Sequence, residues 1–475
     1  MKATWVGGRG GWWQEWGTLA LLAVVALPLF TPRIYASDEI KYFAALRSVY
    51  FDGDIDYANE YAYFVARDPV AHAGLKDFAD IVTPTGYRLN DAPIGTAVMW
   101  APFYVAADLG VVVARSLGAE VPRDGFAWPY VWAVCLASLF WGTLGLMLIY
   151  RLCRTCASRT ASTWSLLGIW FASPVIFYLY ITPAMAHANS LFAAALFLLL
   201  WRTNRPTHTV ARWILLGCAA GLMVLVRELN WVLVLAVAAG ETWSLFEVMK
   251  ARSEEQHMPA NRAFLEELQR RAGRYLAFGL TLGAIVAPQF YVYQTLNGSL
   301  GPTPFVVDKF SVLPRYVIPV LFSGFHGLFS WHPVTLLGVL GLGILWRRER
   351  RLASVLLLLF VAQVLIVGSY STWWGGTGFG ARRFMNCSSI FAVGLAAGLA
   401  HLNVRAQRLA GVALVLLVLW NFGLAVQYSV GLIPRDAPVR MSQVAYNQIF
   451  EVPPMIGEIA WRFAFERSSL YRTKS

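Results

Sequence analysis

The stretch that decides the fold is GTLALLAVVALPLFTPRIYASDE, residues 17–39. Its apolar part forms most of a predicted membrane span, 15–32, and it ends in the polar sequence Ser37-Asp38-Glu39. Two adjacent acids at the mouth of a first membrane helix are costly to desolvate unless they are paired or used. The pair predicts either an N-cap, with Asp38 capping a helix over 40–50, or a base that takes a proton from a hydroxyl.

The composition is that of a membrane protein. Of the 475 residues, 57% are hydrophobic and only 14% are charged, whereas about a quarter are charged in a soluble domain. Apolar runs of about 17–25 residues, long enough to cross about 30 Å of hydrocarbon, recur along the chain. We predict eleven spans, at 15–32, 128–150, 161–180, 187–203, 211–226, 229–248, 275–294, 331–346, 352–370, 387–401 and 408–426.

The net charge of +12 has two candidate explanations. One is binding to nucleic acid, and the other is an excess of basic residues in cytoplasmic loops. The basic residues lie between the apolar runs and not along one face, so we exclude nucleic acid. With the N-terminus in the cytoplasm as an uncleaved signal anchor, preceded by Lys2, Arg9, Trp12 and Trp13, five basic clusters fall on the inner side. These clusters are Arg151/Arg154/Arg159, Arg202/Arg205/Arg212, Arg270/Arg271/Arg274, Arg347/Arg348/Arg350/Arg351 and Arg405/Arg408. The sequence therefore predicts a multi-pass protein of the inner or plasma membrane.

The first outer loop, about 33–127, is unusually long, and loops of this length are usually functional. Within it, 92–114 is apolar enough to span a membrane but contains Pro93, Pro102 and Asp108. Counting it as a span would place the Arg151 cluster outside, so we predict a segment lying in the interface on the outer face. The chain then divides into a transmembrane catalytic domain, 1–426, and an extracytoplasmic tail, 427–475. The inner loop 250–274 has opposite charges at helical spacing, which predicts a solvated amphipathic helix.

No motif indicates a metal or redox site. The pair Cys153-x-x-Cys156 has suitable spacing but no partner ligands, and the cysteines do not form a disulfide framework. Asp52, Asp54 and Asp56 resemble part of a calcium loop but lack its Gly and Glu. We assign no cofactor, and a divalent metal stays open.

Polar residues gather at the outer ends of the predicted spans. His187 and Asn189 begin a span and are candidate substrate contacts, with His187 also suited to proton transfer. Arg227 and Glu228 lie between two spans with almost no loop. An ion pair so close to hydrocarbon is either functional or an internal salt bridge that orients the helices.

The richest cluster is WWGGTGFGARR, residues 373–383. Its glycines allow a ligand to approach the backbone closely. Arg382 and Arg383 offer fork-shaped donors for a phosphate, although Arg382 also suits a helix-end anchor. Trp373 and Trp374 suit an interfacial belt or stacking on a sugar face.

Three further residues are candidate substrate contacts. His326 and His332 lie in GFHGLFSWHP, residues 324–333, at the outer end of a predicted span. Arg88 lies in the first outer loop. No spacing distinguishes Arg88 from the other polar groups of that loop.

Taken together, these residues resemble the GT-C superfamily of lipid-carrier-dependent glycosyltransferases, which includes protein O-mannosyltransferases and bacterial aminoarabinose transferases. The resemblance rests on an ordered set of motifs over about residues 10–400. The motifs are the acidic pair, the long first outer loop, Ala92-Pro93-Ile94-Gly95 with Pro102, Pro183 to His187, the Arg227 turn, Gly327-Leu328-Phe329 with Pro333, and Trp373 to Arg382. One departure is Gly375, which stands where oligosaccharyltransferases have the acid of Trp-Trp-Asp. This disfavours transfer of a whole oligosaccharide to asparagine.

The resemblance implies an all-α bundle of about eleven transmembrane helices with interfacial helices in its first outer loop. It implies an enzyme that transfers a sugar, with inversion, from a polyprenyl-phosphate donor to a cell-envelope lipid, glycan or protein on the outer face. Asp38 would be the base for the acceptor hydroxyl, with Glu39 beside it. Arg382, Arg383 and Arg227 would hold the leaving phosphate.

Two other classes compete with this interpretation. A transporter or flippase of lipid-linked sugars predicts ionisable residues buried in mid-span, whereas here they gather at outer ends. A polysaccharide polymerase or ligase predicts a large outer loop late in the chain, whereas here the large loop is the first.

Overall fold

The computed structural model describes residues 17, 20–69, 72–204, 209–256 and 258–466. Within these ranges the chain is helical, with no strand and two isolated bridges, Val82–Arg88 and Phe310–Tyr370. The predicted all-α fold is therefore confirmed. Arg205 and the N-terminal Lys2, Arg9, Trp12 and Trp13 lie outside the described residues.

Twenty α-helices are numbered here along the described chain. They are α1 Ala20–Leu29, α2 Ser37–Arg47, α3 Ala58–Arg67, α4 Ala73–Asp80, α5 Gly95–Ser116, α6 Trp128–Cys153, α7 Arg159–Phe171, α8 His187–Thr203, α9 Val210–Val226, α10 Trp231–Gln256, α11 Ala260–Asn297, α12 Pro304–Val307, α13 Val317–Phe322, α14 Leu328–Trp331, α15 Pro333–Trp346, α16 Arg350–Gly368, α17 Ser388–His401, α18 Val404–Val430, α19 Met441–Phe450 and α20 Val452–Phe465. Short 3-10 or π turns cover Leu27–Leu29, Ser48–Asp52, Phe177–Ile181, Glu228–Asn230 and Arg382–Cys387.

Seven stretches of helix in the described part are long and apolar enough to cross a membrane. They are Gly95–Ser116, Trp128–Cys153, Glu228–Glu254, Ala260–Asn297, Arg350–Gly368, Arg382–His401 and Val404–Val430. Other predicted spans are shorter or broken: α7 ends at Phe171, three residues before Pro174, which cannot continue a helix, and a π turn follows. The count of eleven spans stays a prediction.

The basic loops predicted to share the inner side meet at one end of the bundle. Arg202 donates to the Thr155 hydroxyl at 3.3 Å and pairs with Glu349 at 2.5 Å. Arg348 lies 3.3 Å from the His401 ring nitrogen. These contacts join four of the predicted inner loops, while the side of the membrane that this end faces stays a prediction.

The charge spacing predicted a separate solvated helix over 250–274, and this prediction is wrong. The segment forms the facing ends of α10 and α11. Arg271 is only 1% exposed and donates to Glu267 and Glu241, at 2.7 and 2.9 Å. Buried charges must be paired in this way, so the ion pairs clamp α10 to α11.

The charge of Asp108, which counted against a membrane span at 92–114, is neutralised within the protein. The buried Asp108 carboxylate accepts two hydrogen bonds from Arg123, at 2.9 and 2.8 Å. The hydroxyls of Tyr50 and Tyr130 donate to it as well, at 3.0 and 2.7 Å. These contacts tie α5 to the start of α6 and to the end of α2.

α5 packs lengthwise along the first half of α6: Trp100 Nε1 donates to the Ser138 hydroxyl at 2.7 Å, and Trp141 Nε1 donates to the Met99 carbonyl at 3.0 Å. The first residue of α5, Gly95, packs so closely on the end of α9 that a Cβ there would lie 2.3 Å from the Leu225 carbonyl carbon. Its last residue connects through a short loop to the start of α6, beside which Asp108 packs. That 92–114 lies on the outer face without crossing stays a prediction, since Gly95–Ser116 is also one of the candidate spans.

Candidate active site

The first turn of α2 places Glu39 as a helix cap. The helix begins at Ser37, so Glu39 is its third residue and reaches back to accept from the backbone N–H groups of Tyr35 and Ala36, at 2.7 and 3.0 Å. The prediction that Asp38 caps the helix is therefore wrong, because the helix starts earlier than expected. Burial raises the pKa of the Glu39 carboxyl in spite of these two donors.

The Asp38 carboxylate, which is not used for capping, joins two cations. Its oxygens lie 3.1 Å from Lys41 Nζ and 3.2 Å from Arg382 Nη1, and the side chain is 38% exposed. Lys41 is one turn further along α2 and also pairs with Asp91 at 2.5 Å. Burial raises the pKa of Asp38, but Lys41 and then Arg382 outweigh burial and hold that pKa well below its usual range.

The glycine-rich loop before Arg382 curls back on itself. Gly375 and Gly376 have positive φ angles, 81° and 69°, and Arg382 Nε donates to the Gly375 carbonyl at 2.9 Å. At Gly380, with φ of 60°, a Cβ would lie 2.2 Å from Nε2 of the buried His332. Only glycine fits this close approach, so the backbone of the loop that carries Arg382 is fixed there.

Phe379 anchors this loop in the protein interior. Its ring is fully buried and stacks on Phe177 with centroids 4.5 Å apart. The Tyr178 hydroxyl donates to the Phe379 carbonyl at 3.0 Å, and the Tyr428 hydroxyl donates to the Thr377 carbonyl. The loop is thus positioned by the π turn after α7 and by the end of α18.

Arg227 contacts His187 and not its neighbour Glu228. Arg227 Nη1 lies 3.1 Å from His187 Nδ1, and the His187 ring lies 4.4 Å from that of Tyr178. In the described part of the chain no ion pair joins Arg227 to Glu228, so the predicted internal salt bridge is absent there. The geometry brings His187 and Arg227 to the same side of the bundle as Arg382.

Arg383 faces a different set of groups from Arg382. Its Nη2 donates to the carbonyl of Thr372 at 3.1 Å, and its guanidinium lies 4.9 Å from the centre of the Tyr370 ring. Arg383 is thereby held against the segment 370–372, on the same loop as Arg382.

Lys309 is a residue of the site that sequence reasoning missed. It reaches the site from the segment after α12. Ser311 N–H donates to the Ser369 carbonyl, and Ser371 N–H donates to the Lys309 carbonyl, each at 2.7 Å. The ammonium lies 3.4 Å from the centre of the Phe305 ring. No sequence signal marked Lys309, because its position depends on pairing between 309–311 and 369–371.

Cations outnumber carboxylates across this site. Five cations and three carboxylates interact there, namely Lys41, Arg227, Lys309, Arg382 and Arg383 with Asp38, Asp91 and Glu228. Fixed positive charge in a partly buried site favours an anion, above all a phosphate. Lys41 was detectable from sequence by its spacing of three residues from Asp38 on a helix.

His326 and the two tryptophans lie beside Arg382. His326 has a φ of 59°, rare for a residue other than glycine, and its Nδ1 lies 3.0 Å from the Trp374 carbonyl. Burial lowers the pKa of His326 to about 4, so the ring is neutral at neutral pH. Trp374 stacks on Phe325, with centroids 5.2 Å apart.

These residues enclose a very small cavity. Its volume is about 10 Å³, and it is lined by Val320, His326, Trp373, Trp374, Ala381, Arg382, Arg383 and Phe384. A cavity of that size holds about one water molecule. This cavity is too small for a phosphate, whereas Asp38, on the other side of Arg382, is 38% exposed.

Two predicted residues are not joined to this cluster. Asn189 is fully buried, and neither amide atom has a hydrogen-bond partner among the described residues. Arg88 lies at the 82–88 bridge, and its side chain makes no ion pair in the described ranges. Instead, Asn90 donates to the Lys41 carbonyl at 3.1 Å. No group of three or more His, Cys, Asp or Glu that could hold a metal occurs in the described part.

No protein family model and no curated protein matches the chain. Similar solved structures include apo ArnT from Cupriavidus metallidurans, with 14% identity, a TM-score of 0.48, and 92% of this chain and 74% of that chain covered. ArnT bound to undecaprenyl phosphate has 14% identity and a TM-score of 0.49, with 97% of this chain and 79% of that chain covered. The archaeal oligosaccharyltransferase AglB from Archaeoglobus fulgidus, in complex with an inhibitory peptide and a dolichol-phosphate, has 12% identity and a TM-score of 0.44, with 97% and 56% covered. Similarity at this level concerns the overall helical arrangement.

Two substitutions of Glu39 test its role as the cap of α2. Glu39→Gln keeps an acceptor oxygen for the Tyr35 and Ala36 N–H groups, so we expect a near-normal thermal unfolding temperature. Glu39→Ala removes the cap and should cost about 1 kcal/mol of stability. Thermal unfolding of the purified protein in detergent measures both. Equal stability of the Ala variant and the wild type would contradict the capping role.

Proposed function

We propose that this chain is a membrane glycosyltransferase of the GT-C superfamily. It transfers a sugar from a polyprenyl-phosphate donor to a cell-envelope acceptor on the outer face of the membrane. The observation that carries the proposal is the Asp38 carboxylate, held between Lys41 and Arg382 at the edge of a site with excess positive charge. In this proposal the anomeric carbon of the donor comes to lie between the two groups, with Asp38 on the acceptor side and Arg382 on the phosphate side.

The cations hold the phosphate of the donor. Arg382, Arg383 and Arg227 supply guanidinium groups, and Lys309 adds an ammonium from the facing segment. Negative charge grows on the phosphate as the sugar leaves, so fixed cations stabilise the transition state more than the ground state.

Asp38 acts as the general base. The acceptor hydroxyl gives its proton to the Asp38 carboxylate while its oxygen forms a bond to the anomeric carbon. The bond from that carbon to the phosphate oxygen breaks, and its electron pair stays on the lipid phosphate. This single displacement inverts the configuration of the sugar.

Donor binding also prepares the base. An incoming phosphate competes with the Asp38 carboxylate for Arg382 and draws Arg382 away from it. Losing this cation raises the pKa of Asp38 toward its ordinary value, and a carboxylate with a higher pKa is a stronger base. The ion pair of the free protein therefore keeps Asp38 weakly basic until the donor is bound.

The remaining candidates are substrate contacts in this proposal. Trp373, Trp374 and His326 line the same cavity as Arg382, and we propose that they contact the donor sugar. His187 is held by Arg227. Asn189 and Arg88 stay candidates without a contact to the charged cluster.

Substitutions of Asp38 and Arg382 should have opposite effects on donor binding. Asp38→Asn removes the base and should lower the transfer rate by at least about a hundredfold. It should also bind polyprenyl phosphate at least as tightly as the wild type, because one negative charge is lost. Arg382→Ala should weaken that binding about tenfold or more. Binding to purified protein and turnover with a panel of polyprenyl-phosphate sugars measure these effects.

Near-normal turnover by a folded Asp38→Asn protein would exclude the base, and unchanged lipid affinity in Arg382→Ala would exclude the clamp. A flippase would be favoured instead if the wild type moves lipid-linked sugar across vesicle membranes, the variants do not, and the wild type transfers sugar to no acceptor.

The pH dependence of the transfer rate should show that donor binding draws Arg382 away from Asp38. The ratio kcat/KM reports the free protein, in which Lys41 and Arg382 hold the pKa of Asp38 far below its ordinary 3.8. The rate kcat reports the donor complex, in which Arg382 has moved. Because the ionised base is active, each rate falls as pH falls through the relevant pKa, and the acid limb of kcat should lie at higher pH. Coincident limbs would contradict displacement of Arg382.

Lys309 should contribute to donor affinity although it touches no carboxylate directly. We expect Lys309→Ala to weaken polyprenyl-phosphate binding about three- to tenfold, because one cation near the phosphate is lost. Arg315→Ala removes an exposed cation from the same segment and is the matched control. If the two variants weaken binding equally, the effect is one of general charge, and Lys309 has no specific role.

A further inference from the structure

We propose that the chain has a second lipid-binding site, for an anionic phospholipid, in the groove between α7 and α18. The groove has a volume of about 430 Å³ and is lined by Thr160, Trp164, Val404, Gln407, Arg408, Gly411, Val412 and Val415. This volume falls in the usual range for ligand pockets, about 300–1,000 Å³. It is independent of the proposed transferase site.

The groove lies far from the charged cluster around Asp38. Arg408 is in the second turn of α18, whereas Tyr428, near the other end of that helix, holds the glycine-rich loop. A helix rises 1.5 Å per residue, so the two residues are about 30 Å apart. That distance is about the thickness of the hydrocarbon core, which places the groove near the opposite membrane surface.

The long wall of the groove is apolar and faces outward. Val412 and Val415 are 60% and 49% exposed on α18, and Trp164 is 39% exposed on α7. Because α18 is one of the candidate membrane spans, these side chains face hydrocarbon. An occupant of this wall enters from the bilayer and has an apolar chain.

The mouth of the groove carries uncompensated positive charge. Arg408 is exposed and makes no ion pair among the described residues, and the same holds for Arg405, three residues earlier on the same face of α18. The helix itself begins at Val404, so its N-terminal partial positive charge adds to that of the arginines.

Neighbouring polar groups do not neutralise these arginines. Gln407 lines the groove but is uncharged, and it donates to the Leu399 and Leu402 carbonyls, at 3.2 and 3.1 Å. Asn403 is used as the cap of α18 and accepts from Ala406 N–H at 2.9 Å. Among the described residues no acidic side chain pairs with Arg405 or Arg408, which leaves both available to an anionic ligand.

An anionic phospholipid meets both requirements. Its acyl chain fits the apolar wall, and its phosphate meets Arg408 at the membrane surface, where polybasic segments attract anionic lipids. A zwitterionic lipid carries a compensating cation and gains less from the arginines. A free phosphate gains nothing from the apolar wall.

Four variants and three probes test this site. Phosphatidylglycerol, phosphatidylcholine of matched chains, and inorganic phosphate are added to delipidated protein in detergent. Bound lipid is measured by native mass spectrometry and protection by thermal unfolding. Arg408→Ala removes the cation, and Val412→Trp fills the groove from an exposed position. Arg347→Ala and Val361→Trp are the controls, since both change exposed positions outside the groove.

We expect phosphatidylglycerol to bind about tenfold more tightly than phosphatidylcholine and to raise the unfolding temperature. Arg408→Ala and Val412→Trp should each weaken phosphatidylglycerol binding about tenfold, while both controls behave like the wild type. Equal binding by all variants, or no preference for the anionic lipid, would show annular lipid only and overturn the proposal. Equal protection by inorganic phosphate would overturn the role of the acyl chain. Sugar transfer from the polyprenyl-phosphate donor, which depends on Asp38 and Arg382, is measured separately. Failure of one proposal therefore leaves the other standing.

Discussion

The contact on which the rest of the site depends is the ion pair between Asp38 and Arg382, which joins residues 344 positions apart. Neither charge could remain in this partly buried place alone, because an unpaired charge there is strongly destabilising. Several local structures serve the contact. Glu39 caps α2 and so frees Asp38, Lys41 holds the other carboxylate oxygen, and the glycine-rich loop bends so that Arg382 meets it. The first outer loop and the segment before α17 are thereby fixed to each other.

The excess of cations around this pair has a consequence for the free protein. Asp38 occupies a position that an anionic ligand would compete for, because it is the carboxylate that Arg382 contacts. In the proposed function, competition between this carboxylate and the donor phosphate would couple donor binding to the basicity of Asp38 without any large movement of helices. The close approach of Gly380 to His332, and the burial of Phe379, give the loop little freedom, so a shift of the Arg382 side chain is the cheapest response.

The two ends of the bundle use charge differently. At the end that holds Asp38, the charged side chains are partly buried and pair with one another, and cations outnumber carboxylates. At the other end, Arg202 pairs with Glu349 and Arg271 with Glu267, whereas Arg405 and Arg408 remain exposed at the start of α18. Unpaired cations at a membrane surface are stable because water and lipid phosphates solvate them. The same residue type thus clamps helices where it is buried and meets lipid where it is exposed.

Sequence by itself determined that the chain is a bundle of apolar helices and that its polar residues gather at helix ends, whereas the grouping of Asp38, Arg227 and Arg382 was implied by a family resemblance. These conclusions depend on composition, on span length and on the order of motifs, all of which are local properties. Only the tertiary structure decided which acid caps α2, that Arg227 meets His187 and not Glu228, and that Lys309 and Asp91 enter the site. It also decided that Glu267 and Arg271 are buried, although their spacing indicated a solvated helix. The physical reason is that a side chain's partner depends on which distant segments pack against it, and spacing along one helix or loop carries no information about that.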